Sequence, residues 1–314
     1  MLEATELSFT YPSGRRGLEK VSLKGDPGDR VVVMGPNGSG KSTLLRLVST
    51  ELPSPGGSLK LFGKTSEPPS RDVRRRIGIV QDTPVHVEDL TGMENGLLFA
   101  ELYGLARAAA ARNYAALFTA LGLDEALDVP AREYSYGMKK KLLIAEALVH
   151  DPKMLILDEP VLGLDPPSRT ALLGILMERS QKGVCTLAAT NDPTLAQDLA
   201  TTVVLLHEGE VVANGSPETL LAKIGGATRI VVHIQGSAPL GPTPLPGLPA
   251  DITSIQWLPG CVIAESRSGA DVLPKLVAEV LEAGLKIERI ELREPDLADV
   301  FAFFTGQALG PENK

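Results

Sequence analysis

The residues with the clearest chemical potential form one glycine-rich run. Gly35-Pro36-Asn37-Gly38-Ser39-Gly40-Lys41-Ser42 fits the phosphate-binding loop pattern in full, and Thr43 follows it directly. Glycines let a backbone wrap around phosphates, and the amides and a helix N-terminus add partial positive charge. Lys41 is predicted to reach the β- and γ-phosphates, and Ser42 to offer its hydroxyl to Mg²⁺. The alternative is a chance glycine-rich turn, which a position between a buried strand and a helix argues against.

A second candidate is a pair of acids at the end of an apolar segment. Residues 154–157 read Met-Leu-Ile-Leu, and Asp158 and Glu159 follow. Asp158 fits a water-mediated Mg²⁺ ligand, and Glu159 fits a base that polarises the attacking water. Phosphoryl transfer requires this division of labour. The alternative is a solvated acidic turn.

The elements that must position these residues alternate between strand and helix. Residues 2–23 read as two strands joined by the turn cluster Pro12-Ser13-Gly14, and 30–34 as a short buried strand that leads into the glycine-rich loop. Helical spacing follows over 41–52, and 77–80 is another short apolar strand. This order predicts an α/β fold that binds a nucleotide.

The middle of the chain changes character. Residues from about 90 to 150 are rich in Ala and Leu at helical spacing, which predicts a helical insert. Strand character returns at 154–157, 184–189 and 203–206, with a helix around 169–181, so a parallel sheet is expected to resume. The first domain is predicted to span 1–224.

A second domain is predicted over 225–314, after Gly225-Gly226. It contains strand-like runs at 229–235 and 286–292, two further strand-like runs between these, and predicted helices at about 272–283 and 296–304. This order indicates a small α+β domain. Prolines over 239–249 remove backbone donors and fix φ, so this stretch is predicted to be a surface loop.

Composition limits the classes of function. The chain has 314 residues, 43% hydrophobic and 22% charged, with a formal net charge of -8. An acidic chain argues against nucleic acid as a partner, since phosphate backbones are bound by Lys and Arg surfaces. No stretch approaches the roughly 18 apolar residues of a spanning helix, and the start lacks a signal-peptide layout, so a cytoplasmic location is expected.

The cysteines and histidines show no metal-binding spacing. Cys185 and Cys261 are far apart and are predicted to be inert packing residues. The four histidines are scattered and match no metal-binding pattern, and we expect no ligand role for them: His86, His150, His207 and His233.

The run 134–141, Tyr-Ser-Tyr-Gly-Met-Lys-Lys-Lys, stands before the apolar helix predicted at 142–149. It resembles the signature motif of ABC transporter ATP-binding subunits, and the resemblance covers essentially the whole chain. It implies a P-loop NTPase fold of the ABC type with a helical signature subdomain. It also implies that Ser135 and Gly137 contact the γ-phosphate of ATP held by a second subunit in a head-to-tail dimer. Tyr136 and Met138 replace the usual glycine and glutamine.

The resemblance assigns three further residues. Tyr11 matches the aromatic residue that stacks on adenine, and Gln81 the glutamine that senses Mg²⁺ and the γ-phosphate. Asp165, in Gly163-Leu164-Asp165, matches the loop that touches the opposite subunit. Each has a plainer alternative, namely a strand packing residue for Tyr11, an exposed loop residue for Gln81, and a helix N-cap before Pro166 for Asp165.

One position departs from the family in a way that bears on catalysis. Asn191 stands where the family usually has a switch histidine. Asparagine is shorter than histidine, cannot carry a proton and supplies only an amide donor, so slow turnover is expected. We expect Asn191 still to contact the γ-phosphate.

The C-terminal run 294–301, followed by Thr305-Gly306, resembles the ending of ATPases that serve ABC-2-type exporters. It implies a ferredoxin-like second domain, in which the proline-rich stretch replaces the expected first helix. The expected function is ATP hydrolysis with Mg²⁺ that powers an exporter from the cytoplasmic face of the membrane. The expected partners are a like or unlike ATPase subunit and integral membrane permease subunits, which dock at about 81–94.

Two rival functions are kept open by the sequence. The first is a weakly hydrolysing, regulatory ATP-binding subunit paired with a competent partner, which the asparagine at 191 motivates. The second is a soluble ABC ATPase of translation or DNA repair. Tandem cassettes or a long coiled-coil insert are usual in those proteins, and the sequence has neither. Cargo is read by membrane segments, so the sequence predicts no substrate.

Overall fold

The computed structural model describes residues 1–53, 56–65, 70–224, 228–235, 250–258, 260–266, 269–307 and 309. The chain divides into two compact units, Met1–Pro217 and Glu218–Ala308. The predicted domain boundary at residue 224 stays a prediction, and so do the bounds of the two predicted domains. The predicted loop at 239–249 and Gly225-Gly226 lie outside the described residues.

The first unit alternates strands and helices, as its sequence predicts. Its elements in chain order are β1 (Leu2–Thr10), β2 (Arg16–Gly25), β3 (Arg30–Met34), α1 (Lys41–Val48), β4 (Gly56–Leu61), β5 (Lys64–Thr65), α2 (Arg71–Arg74), β6 (Ile77–Val80), α3 (Gly92–Leu102), α4 (Arg107–Leu121), α5 (Tyr136–Leu148), β7 (Met154–Asp158), α6 (Pro166–Gln181), β8 (Cys185–Thr190), α7 (Pro193–Leu199), β9 (Thr202–His207) and β10 (Glu210–Gly215).

Two sheets form the body of this unit. A six-stranded sheet has the order β10-β9-β3-β8-β7-β6, and a four-stranded sheet the order β2-β1-β4-β5. Strands β9, β3, β8, β7 and β6 are parallel, and β10 is an antiparallel edge. The predicted parallel sheet is confirmed, together with the α/β class. Strands β4 and β10 were not expected from the sequence, because runs such as Gly-Gly-Ser have low strand propensity and are held here by pairing.

The parallel register brings the chemically interesting residues to one edge of the sheet. Met34, the last residue of β3, lies opposite Thr190, the last residue of β8. Asp158, at the end of β7, lies opposite Ala189. Carboxyl ends of parallel strands meet at one edge, where α/β proteins place their ligands. The fold therefore gathers the glycine-rich loop, Asp158 and Glu159 in one place.

Helices α3, α4 and α5 make up the helical insert. Tyr114 and Phe118 of α4 are fully buried. The ring of Tyr114 lies so close to Gly96 of α3 that a Cβ there would come within 2.0 Å of it. Thr91 caps α3 with a capping box that includes Glu94. The insert is thus a packed helical layer, as its Ala and Leu spacing predicts.

The apolar core of the first unit lies between its two sheets and helix α1. The fully or nearly fully buried residues include Leu2 and Leu7 of β1, Leu44 of α1 and Ile156 of β7. Burying a side chain of this size stabilises a fold by about 1.5–3 kcal/mol. This core fixes the position of α1 and so of the loop that precedes it.

The second unit begins with α8 (Pro217–Lys223), which the unit boundary divides. It continues with β11 (Thr228–Ile234), β12 (Ile252–Leu258), β13 (Cys261–Ser266), α9 (Leu273–Glu282), β14 (Ile287–Arg293) and α10 (Leu297–Thr305). Its antiparallel sheet has the order β12-β13-β11-β14. Leu276 and Val280 of α9 pack on Ile230 and Val232 of β11. The ferredoxin-like topology stays a prediction, because the segment between β11 and β12 is largely outside the described residues.

In the part of the chain that the structure describes, no helix is both long enough and apolar enough to cross a bilayer.

Candidate functional site

The glycine-rich loop connects β3 to α1, and its glycines are required by geometry. Gly38 and Gly40 have φ of 81° and 106°, in the left-handed region that favours glycine. A Cβ on Gly35 would come within 2.1 Å of the Leu206 carbonyl oxygen, and one on Gly40 within 2.5 Å of the Gly17 oxygen. The loop therefore adopts its path only with glycine at these positions.

Lys41 lies at the start of α1, with its side chain folded over the loop. Its Nζ donates hydrogen bonds to the carbonyl oxygens of Gly35 at 2.7 Å and Pro36 at 3.0 Å. Burial lowers the pKa of Lys41, while the charges of Glu159 and Asp158 raise it. The nearby hydroxyl of Ser39 is buried and has no hydrogen-bond partner among the described residues. The loop is thus rich in polar groups aimed inward.

Asp158, Ser42 and Gln81 line a common cavity. Burial raises the pKa of Asp158, and a hydrogen bond with Ser42 lowers it in part. Hydroxyl, amide and carboxylate oxygens are the hard ligands that Mg²⁺ prefers. No cluster of three or more His, Cys, Asp or Glu that could hold a metal alone occurs among the described residues. A Mg²⁺ ion here would need oxygen ligands from a phosphate as well, as in P-loop sites.

Glu159 follows β7 and is held by the end of β8. Its Oε2 accepts a hydrogen bond from Thr190 Oγ1 at 3.0 Å, and its Oε1 one from the backbone N–H of Asn191 at 3.1 Å. Its φ of 43° is unusual for a residue with a side chain, and such backbone strain is concentrated at functional sites. Burial raises the pKa of Glu159, a change that favours a general base.

Tyr11 stands at the mouth of the same region. Its hydroxyl forms a hydrogen bond of 2.9 Å with Thr43 Oγ1. The rings of Tyr11 and Phe9 form a T-shaped pair with their centroids 5.0 Å apart. Three residues that the sequence did not suggest, Arg15, Arg46 and Asp82, help to line a second cavity beside the loop. The full lining of this cavity comes from several elements and consists of Tyr11, Arg15, Asn37, Gly38, Gly40, Lys41, Ser42, Thr43, Arg46, Asp82, Asp158 and Glu159.

The signature residues lie apart from this cavity and are absent from its lining. Ser135 is the N-cap of α5, and its hydroxyl accepts a hydrogen bond from the backbone N–H of Met138 at 3.2 Å. The Tyr136 hydroxyl donates to the Asp82 carbonyl oxygen at 3.1 Å. A Cβ on Gly137 would come within 2.7 Å of the Gly163 oxygen, so the motif lies against the loop that contains Gly163.

Asp165 caps α6. Its Oδ1 accepts a hydrogen bond from the backbone N–H of Ser168 at 2.8 Å, and Pro166 occupies the first turn. The alternative interpretation of Asp165 as an N-cap is therefore realised within the chain, and its contact with a second subunit stays a prediction.

Besides Arg15, Arg46 and Asp82, two residues that bear on the site were not singled out from the sequence. Thr190 is hidden in an apolar strand, although its place at the end of β8 beside β7 was a usable signal. Lys140 reads as one of three basic residues in a row, and only the structure shows that it is fully buried.

Cys185 and two of the histidines have buried or stacking surroundings. Cys185 is buried, and burial raises the pKa of its thiol to about 12. That the cysteines are inert and that the histidines bind no ligand stays a prediction. His86 forms a buried pair with Glu146, with Nδ1 and Oε1 3.2 Å apart. His150 stacks on Tyr103 with ring centroids 3.8 Å apart.

A glycine-rich loop that joins a strand to a helix, beside a strand that ends in Asp-Glu, defines a P-loop ATPase. The glycines in left-handed conformations, the inward-facing polar groups and the oxygen ligands fit ATP and Mg²⁺. A family model described as ABC transporter matches residues 18–162.

Comparison with known proteins extends this match beyond the first domain. Daunorubicin/doxorubicin resistance ATP-binding protein DrrA of Streptomyces peucetius is 32% identical over 317 residues, which cover 97% of this chain and 92% of DrrA. Linearmycin resistance ATP-binding protein LnrL of Bacillus subtilis (strain 168) is 27% identical over 312 residues, which cover 98% of this chain and 99% of LnrL. A solved structure of an ATP binding subunit of an ABC transporter matches with a TM-score of 0.67 and 33% identity, over 72% of this chain and 93% of that one.

The chain belongs to the ABC transporter family as one of its ATP-binding subunits. The predicted resemblance to the exporter branch, the P-loop fold, the ATPase activity and the use of ATP and Mg²⁺ are confirmed by these matches.

Proposed function

We propose that this chain is the motor subunit of an exporter, and that Glu159 is the base of its ATPase reaction. The observation that carries the proposal is the double hydrogen bond that aims the Glu159 carboxylate from the end of β8. A carboxylate in this position with a raised pKa accepts a proton from an attacking water more readily than an ordinary glutamate.

The remaining site residues receive roles that follow from their chemistry. Mg²⁺, when bound, neutralises charge that develops on the phosphates. Ser42, Gln81 and Asp158 line one cavity and would hold the ion there, Asp158 through a water molecule. Lys41 and the loop amides bind the β- and γ-phosphates, and Tyr11 stacks on adenine.

A head-to-tail dimer completes the site in this proposal. Ser135, Gly137 and Asp165 do not line the cavity beside the phosphate loop of their own chain. Binding energy from a second subunit's signature motif would therefore close two chains around two ATP molecules. The second subunit is either another copy of this chain or a different ATPase subunit. The one that forms a closed dimer with this chain in the presence of Mg-ATP is the natural partner.

The membrane partner docks beside the magnesium cavity. Val85 is 69% exposed and Val87 47% exposed, both in the segment after β6, and Val85 also lines the cavity with Gln81. Exposed apolar side chains next to a cleft mark interaction sites. We propose that permease subunits insert a short apolar helix here at the cytoplasmic face of the membrane.

The docking proposal is tested by retention on membranes. Val85→Asp in the full chain, expressed with its permease subunits, is expected to lose membrane association and to abolish co-purification. Met177→Asp changes an exposed apolar residue on α6 and is the matched control, expected to co-purify like the parent. Equal retention of both variants would contradict docking at Val85.

Export is the direction that the relatives support, since their names describe antibiotic resistance. The rival role, a weakly hydrolysing regulatory subunit, has one observation in its favour, namely that Asn191 stands where the family usually has a histidine. A single-turnover ATPase measurement on the chain alone and in its complex separates the two. A competent motor hydrolyses its bound ATP both as the chain alone and in the complex. A regulatory subunit does not hydrolyse ATP as the chain alone, and hydrolysis in its complex comes from the partner's site.

A further inference from the structure

A buried lysine connects the signature helix to the segments that carry two of the proposed magnesium ligands. Lys140, in the second turn of α5, is 0% exposed. Its Nζ donates hydrogen bonds to the carbonyl oxygens of Gln81 at 2.8 Å, Asp82 at 3.0 Å and Asp158 at 3.2 Å. These carbonyls belong to the loop after β6 and to the end of β7, which are separate in sequence.

The cation is fully satisfied by this arrangement. An ammonium group has three donors and no acceptor, and three carbonyl oxygens use all of its donors. Burying a charge is costly unless it is hydrogen-bonded in this way. Burial lowers the pKa of Lys140, while the charges of Asp82, Asp158 and Glu159 oppose that change. A neutral side chain of the same length would leave three carbonyls without their shared donor.

Tyr136 strengthens the same connection from the adjacent turn. It precedes Lys140 by four residues, so both side chains lie on one face of α5. The Tyr136 hydroxyl and Lys140 Nζ both donate to the Asp82 carbonyl oxygen. The tyrosine that replaces a signature glycine in this chain therefore adds a second contact between the signature helix and the loop that carries Gln81.

We propose that Lys140 is a positioning residue for magnesium, which sets the backbone of Gln81 and Asp158 so that the Gln81 side chain and the Asp158 carboxylate, acting through water, are both aimed at the ion. The inference rests on the proposed magnesium roles of these two residues. Groups that orient ligands in this way typically change metal affinity by about 10- to 100-fold when they are removed. Lys140 itself touches neither nucleotide nor metal in this proposal.

The experiment measures how strongly Mg²⁺ promotes nucleotide binding. The dissociation constant for the fluorescent analogue mant-ATP is measured in EDTA and in excess Mg²⁺. The ratio of the value in EDTA to the value in Mg²⁺ reports the coupling between ion and nucleotide. Lys140→Met keeps an unbranched side chain, one heavy atom shorter, and removes its donors. We expect a ratio about tenfold lower than in the parent, with the value in EDTA changed less than about twofold.

Matched variants separate positioning from a general structural role. Lys139→Met removes the neighbouring positive charge and should leave the ratio unchanged. Lys139 Nζ forms an ion pair with Glu88 Oε1 at a distance of 2.9 Å and contacts neither Gln81 nor Asp158 through this pair. Lys140→Gln retains an amide donor and should lower the ratio less than Lys140→Met. Should Lys140→Met fail to fold, as judged by circular dichroism, Lys140→Gln carries the test alone.

Two results overturn the proposal. One is a ratio for Lys140→Met, or for Lys140→Gln if only that folds, within twofold of the parent. The other is an equal loss of affinity in EDTA and in Mg²⁺, which would mean a structural role only. Asp158→Asn distinguishes the levels of failure. If it leaves the ratio unchanged, the magnesium assignment itself fails together with this inference; if it lowers the ratio while Lys140 variants do not, only the role of Lys140 fails.

Discussion

Glu159 Oε1 accepts a hydrogen bond from the backbone N–H of Asn191 at 3.1 Å. This contact involves the main chain, so any side chain at position 191 leaves it in place. The asparagine in place of the usual histidine therefore keeps this contact with Glu159, and we expect its cost to fall on the predicted contact with the γ-phosphate.

Asn191→His should accelerate hydrolysis. The imidazole is longer than the asparagine amide and can carry a proton at the γ-phosphate, while the backbone contact with Glu159 is kept. We expect kcat to rise by roughly threefold to tenfold, equivalent to about 0.7–1.4 kcal/mol. Steady-state ATPase assays on the purified complex measure it, and Asn191→Ala is the control, expected to be slower than the parent. An unchanged or lower rate for the histidine variant would refute the assignment.

Thr190→Val should move the acid limb of the pH–rate profile upward. The Thr190 hydroxyl stabilises the Glu159 carboxylate, and its hydrogen bond opposes the effect of burial, which raises the pKa of Glu159 above the ordinary 4.5. Glu159 must be ionised to act as a base, so losing this bond makes activity disappear at a higher pH. The expected displacement is about half to one pH unit. A coincident acid limb in variant and parent would show that Glu159 does not control it.

Replacing either of two glycines by alanine should change the free energy of unfolding, in opposite directions. A Cβ on Gly96 would lie 2.0–2.3 Å from ring atoms of the buried Tyr114, so Gly96→Ala should lower the free energy of unfolding by about 2 kcal/mol or more. Gly174 lies inside α6 with nothing within 4 Å of its Cβ position, so Gly174→Ala should raise that free energy by roughly 0.5–1 kcal/mol. Urea unfolding measures both, and a stable Gly96→Ala would mean that α3 and α4 separate readily.

His150 should make the fold sensitive to mild acid. Burial lowers the pKa of His150 from 6.5 to about 4, while a hydrogen bond to the Ile77 carbonyl oxygen opposes the change. As the pH falls below 6.5 the unfolded chain binds a proton that the folded chain does not, so stability is lost between these two values. The loss is on the order of 2 kcal/mol between pH 7 and pH 4.5.

His150→Phe tests this, because it keeps the stacking on Tyr103 and removes the titrating group. As the pH falls from 7 to 4.5, the free energy of unfolding of the parent should fall by about 2 kcal/mol relative to that of the variant. If the difference between parent and variant is independent of pH, His150 is not the group responsible.

Much of the first unit could be predicted because its signals are local. The phosphate loop has a fixed pattern, and 31–34, 77–80 and 154–157 are short apolar runs, which fit strands buried in a parallel sheet. Strand β4 could not be predicted, since its Gly-Gly-Ser start has no strand preference and depends on pairing with β1.

The missed site residues depend on tertiary contacts. Lys140 belongs to a run of three lysines, and the sequence does not say which of them α5 turns inward. Likewise, the sequence assigned Glu159 correctly to the strand end but could not show that Thr190 and the Asn191 backbone hold it. Those contacts arise from the register between β7 and β8.

The central claim is that Glu159 drives hydrolysis after two chains close around ATP. Its most direct test is the oligomeric state of Glu159→Gln with Mg-ATP, measured by light scattering during size-exclusion chromatography, beside its ATPase rate. We expect a stable dimer that retains ATP and hydrolyses it at least about 100-fold more slowly than the parent. Unimpaired turnover by Glu159→Gln would contradict this claim.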